Sequence, residues 1–276
     1  MSVVERRDEG PVRIITLNRP ERRNATSREL MEGIHEGLPM PGEEGVRAVV
    51  LAANGPSFSA GGDLKAKPLG IEPGSRRMRE VFNPVIMRLV ATPVPVIAAV
   101  DGPALGAGLS LALAADLRIA GPNAVFSSGF VDVGLATDTG ASYFLPRLVG
   151  YGRAFELLTT GRKVGPEEAL RIGLVNDVVA AEEVVDAAVS LGHRLAEKPG
   201  IAVPALKDLL QQAGSRTLAE QLEAEARTYD RAATDPRRVA AKAAMVQKMS
   251  RRPPLVSDAA NGRRVEDEGE DSNPRG

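Results

Sequence analysis

The chain has 276 residues and a net charge of −1, with 43% hydrophobic and 26% charged residues, values typical of one large globular domain with or without a helical addition. A near-neutral charge does not favour nucleic acid or membranes as partners. With 3% aromatic residues and no Trp, the chain has few side chains on which nucleic-acid bases could stack. No cysteine and only two histidines exclude thiolate catalysis and disfavour metal sites. Neither a signal-peptide pattern nor a run of 18 apolar residues is found, so we expect a cytoplasmic protein without a membrane segment.

Apolar strands and amphipathic helices alternate along the first two thirds of the chain. Strands are predicted at residues 12–17, 46–52, 95–100 and 117–120, and helices at residues 27–38 and 109–115. This alternation indicates an α/β architecture.

The last third is predicted to be almost continuous helix from about residue 181. Pro199-Gly200 and Gly214 divide it into about three helices that end near Ser250. Residues 258–276 are charged and almost free of apolar side chains, which indicates a mobile tail because too little surface can be buried to offset ordering. We therefore expect a core over residues 1–195, a helical region over 196–255 and a disordered tail over 256–276.

Two turns rich in small residues each follow an apolar strand. They are residues 57–64 (SFSAGGDL), called the first turn, and residues 101–108 (DGPALGAG), called the second turn. Small residues let a ligand approach the backbone, and two free amides on one carbonyl oxygen form an oxyanion hole, worth about 3–4 kcal/mol per donor. The alternative is that both turns only connect neighbouring elements and bind no ligand. A dinucleotide site is disfavoured, because Leu111 stands where the third glycine of that fingerprint belongs.

Several segments in one order resemble the crotonase (enoyl-CoA hydratase/isomerase) superfamily. They are residues 18–25 (NRPERRNA), 58–64 (FSAGGDL), 95–108 (PVIAAVDGPALGAG), 115–120 (ADLRIA), 145–150 (LPRLVG), 160–162 (TGR) and 169–176 (ALRIGLVN). The resemblance spans roughly residues 10–250. It implies a crotonase-like spiral of β-β-α turns, with a C-terminal helical region that makes a homotrimer or homohexamer.

The resemblance also implies the substrate and its binding site. The substrate is an acyl-CoA thioester; coenzyme A is part of it, so no separate cofactor and no metal is expected. The oxyanion-hole amides are placed on Gly62 and Ala107. The path of coenzyme A is placed along Ala60, Gly61, Gly62, Asp63 and Leu64. Arg22 occupies a position where family members often carry a basic residue near the phosphates, although a solvated surface charge is an equal alternative.

The reaction depends on which acid–base groups face the acyl chain. Two glutamates serve this purpose in a family hydratase, and their positions here hold Ser110 and Phe130. Neither side chain activates water near neutral pH, and Phe130 would make its side of the substrate pocket dry. Asp138, within residues 133–140 (VGLATDTG), matches an aspartate that moves the proton in family isomerases. The pattern most closely resembles the phenylacetate-pathway epoxyphenylacetyl-CoA isomerase.

The favoured hypothesis is therefore an enoyl-CoA isomerase that uses Asp138 as its acid–base group. One alternative is an enoyl-CoA hydratase that uses Asp138 or Asp132, since Asp132 shares a face with Phe130 if this segment is extended. Another is a catalytically silent CoA-binding subunit.

Asp138 also has a structural interpretation. It can cap a helix that begins at Thr139, which would stabilise the anion and weaken the base, whereas burial by Phe130 and Leu135 would raise its pKa. Other polar residues are expected to have structural roles or none: Asp63 and Asp116 order their turns, and His35 and His193 are not catalytic.

Overall fold

The computed structural model describes residues 2–40, 42–63 and 74–250, in which strands and helices alternate before the chain becomes wholly helical. The strands are β1 Val4–Glu9, β2 Val12–Leu17, β3 Ala48–Ala53, β4 Val96–Val100, β5 Pro103–Leu105, β6 Leu117–Ala120, β7 Val125–Ser127 and β8 Asp177–Val178. The helices are α1 Arg28–Gly37, α2 Gly74–Arg77, α3 Asn83–Ala91, α4 Ala107–Leu113, α5 Ala141–Val149, α6 Tyr151–Thr160, α7 Pro166–Arg171, α8 Val184–Ala196, α9 Ala202–Ala213, α10 Leu218–Ala233 and α11 Pro236–Ser250. Leu64, residues 251–255 at the end of the expected helical region and the tail over residues 256–276 lie outside the described residues.

The main sheet has the strand order β1-β2-β3-β4-β6-β8. β1 pairs antiparallel with β2, and each later pair is parallel. β4 is buried along its whole length, as expected for a parallel strand covered on both faces. β1 was not predicted, because its sequence VERRDE carries no apolar alternation; its exposed charges suit an edge strand, where they discourage pairing with other chains.

Helices cover both faces of this sheet. On one face, α1, α3 and α4 enclose the larger apolar cluster, which includes Ile15 and Leu51. On the other face, α8 packs against a smaller cluster that includes Ile14, Val50 and Ile97. The alternate side chains of β2 and β3 therefore enter different layers, which fixes the register of these strands. Within the described residues, no helix combines the length and hydropathy needed to cross a membrane.

The C-terminal region differs from the prediction of about three helices, since four follow one another from α8 to α11. The missed break separates α10 from α11 at Thr234 and Asp235. Asp235 precedes Pro236, and proline disfavours helical backbone in the residue before it. α10 begins at a capping box in which Thr217 and Glu220 satisfy each other's backbone amides.

The boundaries of two elements near the glycine-rich turns also differ from the prediction. β3 runs over Ala48–Ala53 rather than residues 46–52, and α4 begins at Ala107 rather than Leu109. The earlier start matters for the second turn, because it makes Ala107 the first helical residue.

The structure confirms the structural role expected for Asp116, and this residue also joins α9 to the sheet. Its Oδ2 accepts from the Val96 amide at 2.8 Å and from Lys207 Nζ at 2.7 Å. The Lys207 side chain is only 9% exposed, and burial lowers its pKa despite the nearby carboxylate. Asp116 therefore holds a cation that has little contact with water.

Replacing Asp116 by Ala is expected to lower the free energy of unfolding by about 3 kcal/mol, because a buried ammonium group loses its counter-charge. Denaturant-induced unfolding measures this loss. Glu223→Gln is the control, since the Glu223–Arg227 ion pair is exposed and its removal should change stability by less than about 1 kcal/mol. Equal effects of the two substitutions would contradict the expectation.

Candidate active site

The two glycine-rich turns lie side by side. The Ser59 amide donates to the Pro103 carbonyl at 3.0 Å, and the Leu105 amide donates to the Ser59 carbonyl at 2.9 Å. Glycines permit this approach: a Cβ on Gly61 would overlap the Leu105 carbonyl, and a Cβ on Gly108 would overlap the Ser59 carbonyl. Gly61 also has φ of 79°, which is strained for other residues. The second turn is further fixed by β5, which pairs with β7.

The amides of Gly62 and Ala107 are both available at this junction. Among the described residues, neither N–H group donates a hydrogen bond, and for Ala107 the reason is its place at the start of α4, where helical amides lack partners. A Cβ built on Gly61 would lie 3.3 Å from the Ala107 nitrogen, so the two amide-bearing segments are in close proximity. Gly62 is exposed, and a Cβ there would meet no atom within 4 Å. A ligand oxygen can therefore approach this junction from outside.

Asn24 anchors the first turn, a role that the sequence did not reveal. Its Nδ2 donates to the carbonyls of Asn54 and Ser57, at 2.9 and 2.8 Å, and its Oδ1 accepts from the Arg19 amide at 2.7 Å. Its own carbonyl accepts from Ser59 Oγ at 2.7 Å. Asn24 has φ of 52°, a conformation that asparagine tolerates better than most residues. Only the segment 18–25 as a whole was informative in the sequence.

Ser110 and Phe130 both lie against the second turn. Ser110 is fully buried, and its Oγ donates to the Asp138 carbonyl at 3.0 Å. The Phe130 ring comes within 3.6 Å of the point where a Cβ on Gly106 would stand. The structure thus brings an apolar ring, a short hydroxyl and the Asp138 backbone together beside Ala107.

The Asp138 side chain is half-buried and does not cap a helix. α5 begins at Ala141, and Gly140 is its N-cap residue without a side-chain bond. The capping interpretation is therefore wrong, because the Asp138 Oδ1 accepts from Thr139 Oγ1 at 2.6 Å instead. Burial raises the pKa of Asp138, while the Thr139 hydrogen bond and the positive charge of Arg77 oppose this rise.

Asp132 and Leu135 differ from their expected placement. Residues Val131–Val133 form a 3₁₀ turn, not an extended segment, so the two-residue spacing does not place Asp132 on the face of Phe130. Asp132 is exposed, and its carboxylate lies close to Gly161. Leu135 is 61% exposed and therefore adds little to the desolvation of Asp138.

The remaining predicted binding residues border the first turn. Ala60 is half-buried and Gly61 is buried, and Asp63 lies 3.8 Å from the Arg19 guanidinium, in keeping with a structural role for this aspartate. Arg22 is exposed on the short 3₁₀ turn Pro20–Arg22. His35 is also exposed, and His193 lies near Glu9 at the far side of the sheet.

Comparison with known proteins identifies the class to which this fold and site belong. A family model described as enoyl-CoA hydratase/isomerase matches residues 7–249. The structure of an enoyl-CoA hydratase from Polaromonas sp. JS666 is similar with a TM-score of 0.84 and 33% identity, covering 89% of this chain and 97% of that one. The chain therefore belongs to the enoyl-CoA hydratase/isomerase family of the crotonase superfamily, which confirms the resemblance and the α/β fold.

Two relatives of this chain are named for different reactions, one as a hydratase and one as an isomerase. A Mycobacterium tuberculosis (H37Rv) protein named "Probable enoyl-CoA hydratase EchA12" is 44% identical over 200 residues, which cover 68% of this chain and 70% of that protein. The 1,2-epoxyphenylacetyl-CoA isomerase of Escherichia coli K12 is 36% identical over 227 residues, which cover 80% of this chain and 86% of that protein. Membership thus defines an acyl-CoA enzyme of the hydratase/isomerase type.

Proposed function

We propose that this protein is an enoyl-CoA isomerase that moves a carbon–carbon double bond with Asp138 as its single acid–base group. The observation that carries the proposal is the composition of the site beside Ala107. Asp138 is half-buried and its backbone carbonyl accepts from Ser110 Oγ, while Ser110 and Phe130 stand where the family resemblance places the two glutamates of a hydratase. One carboxylate suffices for a proton transfer between two carbons, because the proton is returned and no water is consumed.

The proposed reaction starts with the thioester oxygen bound by the amides of Gly62 and Ala107. These hydrogen bonds stabilise the negative charge that develops on that oxygen. The Asp138 carboxylate takes a proton from C2 of a 3-enoyl-CoA, which gives a dienolate. The resulting carboxylic acid then returns the proton to C4, and the double bond moves from C3–C4 to C2–C3.

The environment of Asp138 suits this exchange of one proton. Burial raises its pKa above the ordinary value for aspartate, against the opposing effects of Thr139 and Arg77. A carboxylate with a raised pKa is a stronger base toward the C2 proton. The nearby Phe130 ring disfavours a bound water on that side of the substrate.

Hydration remains the second candidate function, because close relatives such as the mycobacterial protein carry a hydratase name. It would require Asp138 or Asp132 to activate water. The exposed position of Asp132 on its 3₁₀ turn favours Asp138 for either reaction.

Substrate binding and assembly complete the proposal. Coenzyme A would follow the first turn through Ala60, Gly61, Gly62 and Asp63, with Arg22 near its phosphates. The exposed position of Arg22 is compatible with a phosphate contact. The C-terminal helices up to Ser250 would form a homotrimer or homohexamer; exposed apolar side chains on α10, including Leu222 and Tyr229, support an interface there.

Incubation of the protein with 3-hexenoyl-CoA in H₂¹⁸O tests the proposal directly. We expect 2-hexenoyl-CoA as the initial product without ¹⁸O, because isomerisation adds no water. Mass spectrometry of the acyl-CoA pool during the first turnovers measures both outcomes. A hydratase would instead leave 3-hexenoyl-CoA unchanged, because its double bond is not conjugated with the thioester, and would convert 2-hexenoyl-CoA in a parallel incubation into a 3-hydroxyacyl-CoA that carries ¹⁸O. Tight binding of both thioesters with no product from either and no exchange of α-protons in D₂O would establish a silent binding subunit.

A further inference from the structure

Thr139 adopts a backbone conformation that its residue type disfavours. Its φ is 55° and that of Gly140 is 94°, so both central residues of the turn from Asp138 to Ala141 have positive φ. The Ala141 amide donates to the Asp138 carbonyl at 3.3 Å across this turn. Turns with positive φ at both central positions usually contain Gly, Asn or Asp there. A β-branched residue with positive φ is an outlier, and strain of this kind occurs most often at functional sites.

The Thr139 side chain places a buried hydroxyl against the Asp138 carboxylate. Thr139 is only 5% exposed, and its Oγ1 donates to Asp138 Oδ1 at 2.6 Å. This distance lies in the range of hydrogen bonds from a hydroxyl to an ionised carboxylate. Because a hydroxyl group has a single proton to donate, the Thr139 donor is used entirely on this carboxylate.

The main chain of Asp138 is fixed by a different contact. Its carbonyl accepts from Ser110 Oγ at 3.0 Å, in addition to the Ala141 amide. Ser110 is fully buried on α4, the helix that begins at Ala107 and so carries one amide of the proposed oxyanion hole. The main chain of Asp138 is therefore held against this helix, and only the side-chain torsions of the aspartate remain to be fixed.

The two carboxylate oxygens of Asp138 have different environments. Oδ1 accepts the hydrogen bond from Thr139, whereas no donor in the described part of the chain is bonded to Oδ2. A hydrogen bond at Oδ1 restricts rotation of the carboxylate, because the Thr139 hydroxyl is itself buried and cannot follow a large movement. Oδ2 is thus the oxygen that is available to take and return a proton.

We infer that Thr139 is a positioning residue of the proposed reaction: its buried hydroxyl holds Oδ1 of Asp138, so that Oδ2 carries the proton from C2 to C4 of the acyl chain. This inference rests on the proposed function, since the contact matters for the reaction only if Asp138 is the base. It also accounts for a threonine at a strained position. Glycine or asparagine would satisfy the turn with less strain, but neither carries a hydroxyl.

The same hydrogen bond acts on the ionisation of Asp138. Burial raises the pKa of Asp138, and the Thr139 hydrogen bond opposes this rise, because a donor to the charged form favours that form. The positive charge of Arg77 has a smaller effect in the same direction as Thr139. Among the other groups on neighbouring elements, α4 carries no titratable side chain, Arg147 on α5 is held over a tyrosine ring, and Asp132 is exposed on its 3₁₀ turn.

Thr139→Val tests this role, because valine lacks the hydroxyl and keeps the branched shape. The pH dependence of 3-hexenoyl-CoA isomerisation by the full chain measures the effect. We expect kcat to fall at least about tenfold, as for the loss of a hydrogen bond to a charged group, with KM within about twofold of wild type. The acid limb of kcat/KM should move to higher pH, since the ionised carboxylate loses a donor. Thr139→Ser, which keeps the donor, should retain the kcat and the acid limb of the wild type.

Thr92→Val is the matched control for this substitution. Thr92 is 1% exposed at the end of α3, and its hydroxyl donates at 2.7 Å to the Arg88 carbonyl rather than to a carboxylate. Thr92→Val should therefore change the thermal midpoint without changing kcat or the acid limb. Thr139→Gly provides a second variant without the hydroxyl if Thr139→Val does not fold, because glycine tolerates the positive φ. It should show the same loss of kcat and the same movement of the acid limb.

An unmoved acid limb in the folded variant that lacks the hydroxyl would overturn the inference, whether or not kcat falls. Equal losses in Thr139→Ser and Thr139→Val would also overturn it, because they would assign the effect to packing of the methyl group. Asp138→Asn separates the two proposals. If that variant keeps the wild-type rate, the proposed function fails; if it is inactive while Thr139→Val keeps the wild-type kcat and acid limb, only the role of Thr139 fails.

Discussion

Replacement of Asp138 by Asn is expected to slow double-bond migration in a 3-enoyl-CoA by about 10²- to 10⁴-fold, the usual contribution of a positioned acid–base group. The amide cannot accept the C2 proton, whereas its oxygen can still accept the hydrogen bond that Thr139 donates to Asp138. Initial rates of 2-enoyl-CoA formation measure the effect.

The same substitution should leave the fold intact. Because burial raises the pKa of Asp138 in the folded state, the folded protein binds this proton more tightly than the unfolded chain. The carboxylate therefore costs stability once the pH exceeds its unfolded pKa, and the cost decreases as the pH falls. A neutral Asn removes that cost, so the thermal midpoint at neutral pH should not decrease.

Asp132→Asn is the matched control for this prediction. Asp132 is an exposed aspartate only six positions away along the chain, and its substitution should leave the isomerisation rate within about twofold of wild type, as for a surface residue outside the reaction. If Asp132→Asn abolishes activity while Asp138→Asn preserves it, the assignment of the base is wrong.

Replacement of Gly61 by Ala is expected to lower kcat by at least about 100-fold, because it should displace the two turns that carry the proposed oxyanion hole. The added Cβ would overlap the Leu105 carbonyl, and the positive φ of Gly61 is strained for alanine. Loss of one oxyanion-hole donor alone typically costs about 10²–10³ in kcat. Steady-state kinetics at saturating 3-enoyl-CoA measure the change.

This second prediction needs a control for simple loss of stability. Gly152 lies in α6, has no positive φ, and an added Cβ would meet no neighbour within 4 Å outside its helix. Gly152→Ala should therefore keep the wild-type kcat and stabilise the protein slightly. The thermal midpoints of both variants show whether the Gly61 variant is folded during the assay. A folded Gly61→Ala protein with wild-type kcat would refute the proposed hole.

The predictable part of the fold consists of elements with strong local patterns. β2, β4 and β6 are apolar runs with turn residues after them, and α1 is capped by Ser27, whose Oγ accepts from the Leu30 amide at 3.2 Å. The short strands β5, β7 and β8 were not predicted, because two or three residues contain too little periodicity and depend on distant pairing partners.

Those features of the candidate site that depend on residue type alone could be predicted from the sequence. The turns were recognisable from Gly61 and Gly108, and Asp138 was proposed as the acid because Ser110 and Phe130 stand where the family resemblance places two glutamates. The local geometry of Asp138 could not be predicted. An aspartate that caps a helix and an aspartate that accepts a hydrogen bond from the next residue have the same sequence pattern.

By itself, the sequence determined that this chain belongs to an α/β acyl-CoA enzyme family and that two strands end in glycine-rich turns, and it predicted Asp138 as the acid of the site. Only the tertiary structure decided that the segments bearing the amides of Gly62 and Ala107 lie close together and that, among the described residues, neither amide donates a hydrogen bond. The physical reason is that residue types and periodicity are local properties. Free hydrogen-bond donors and unpaired charges are defined by every neighbour in space, including segments far away along the chain.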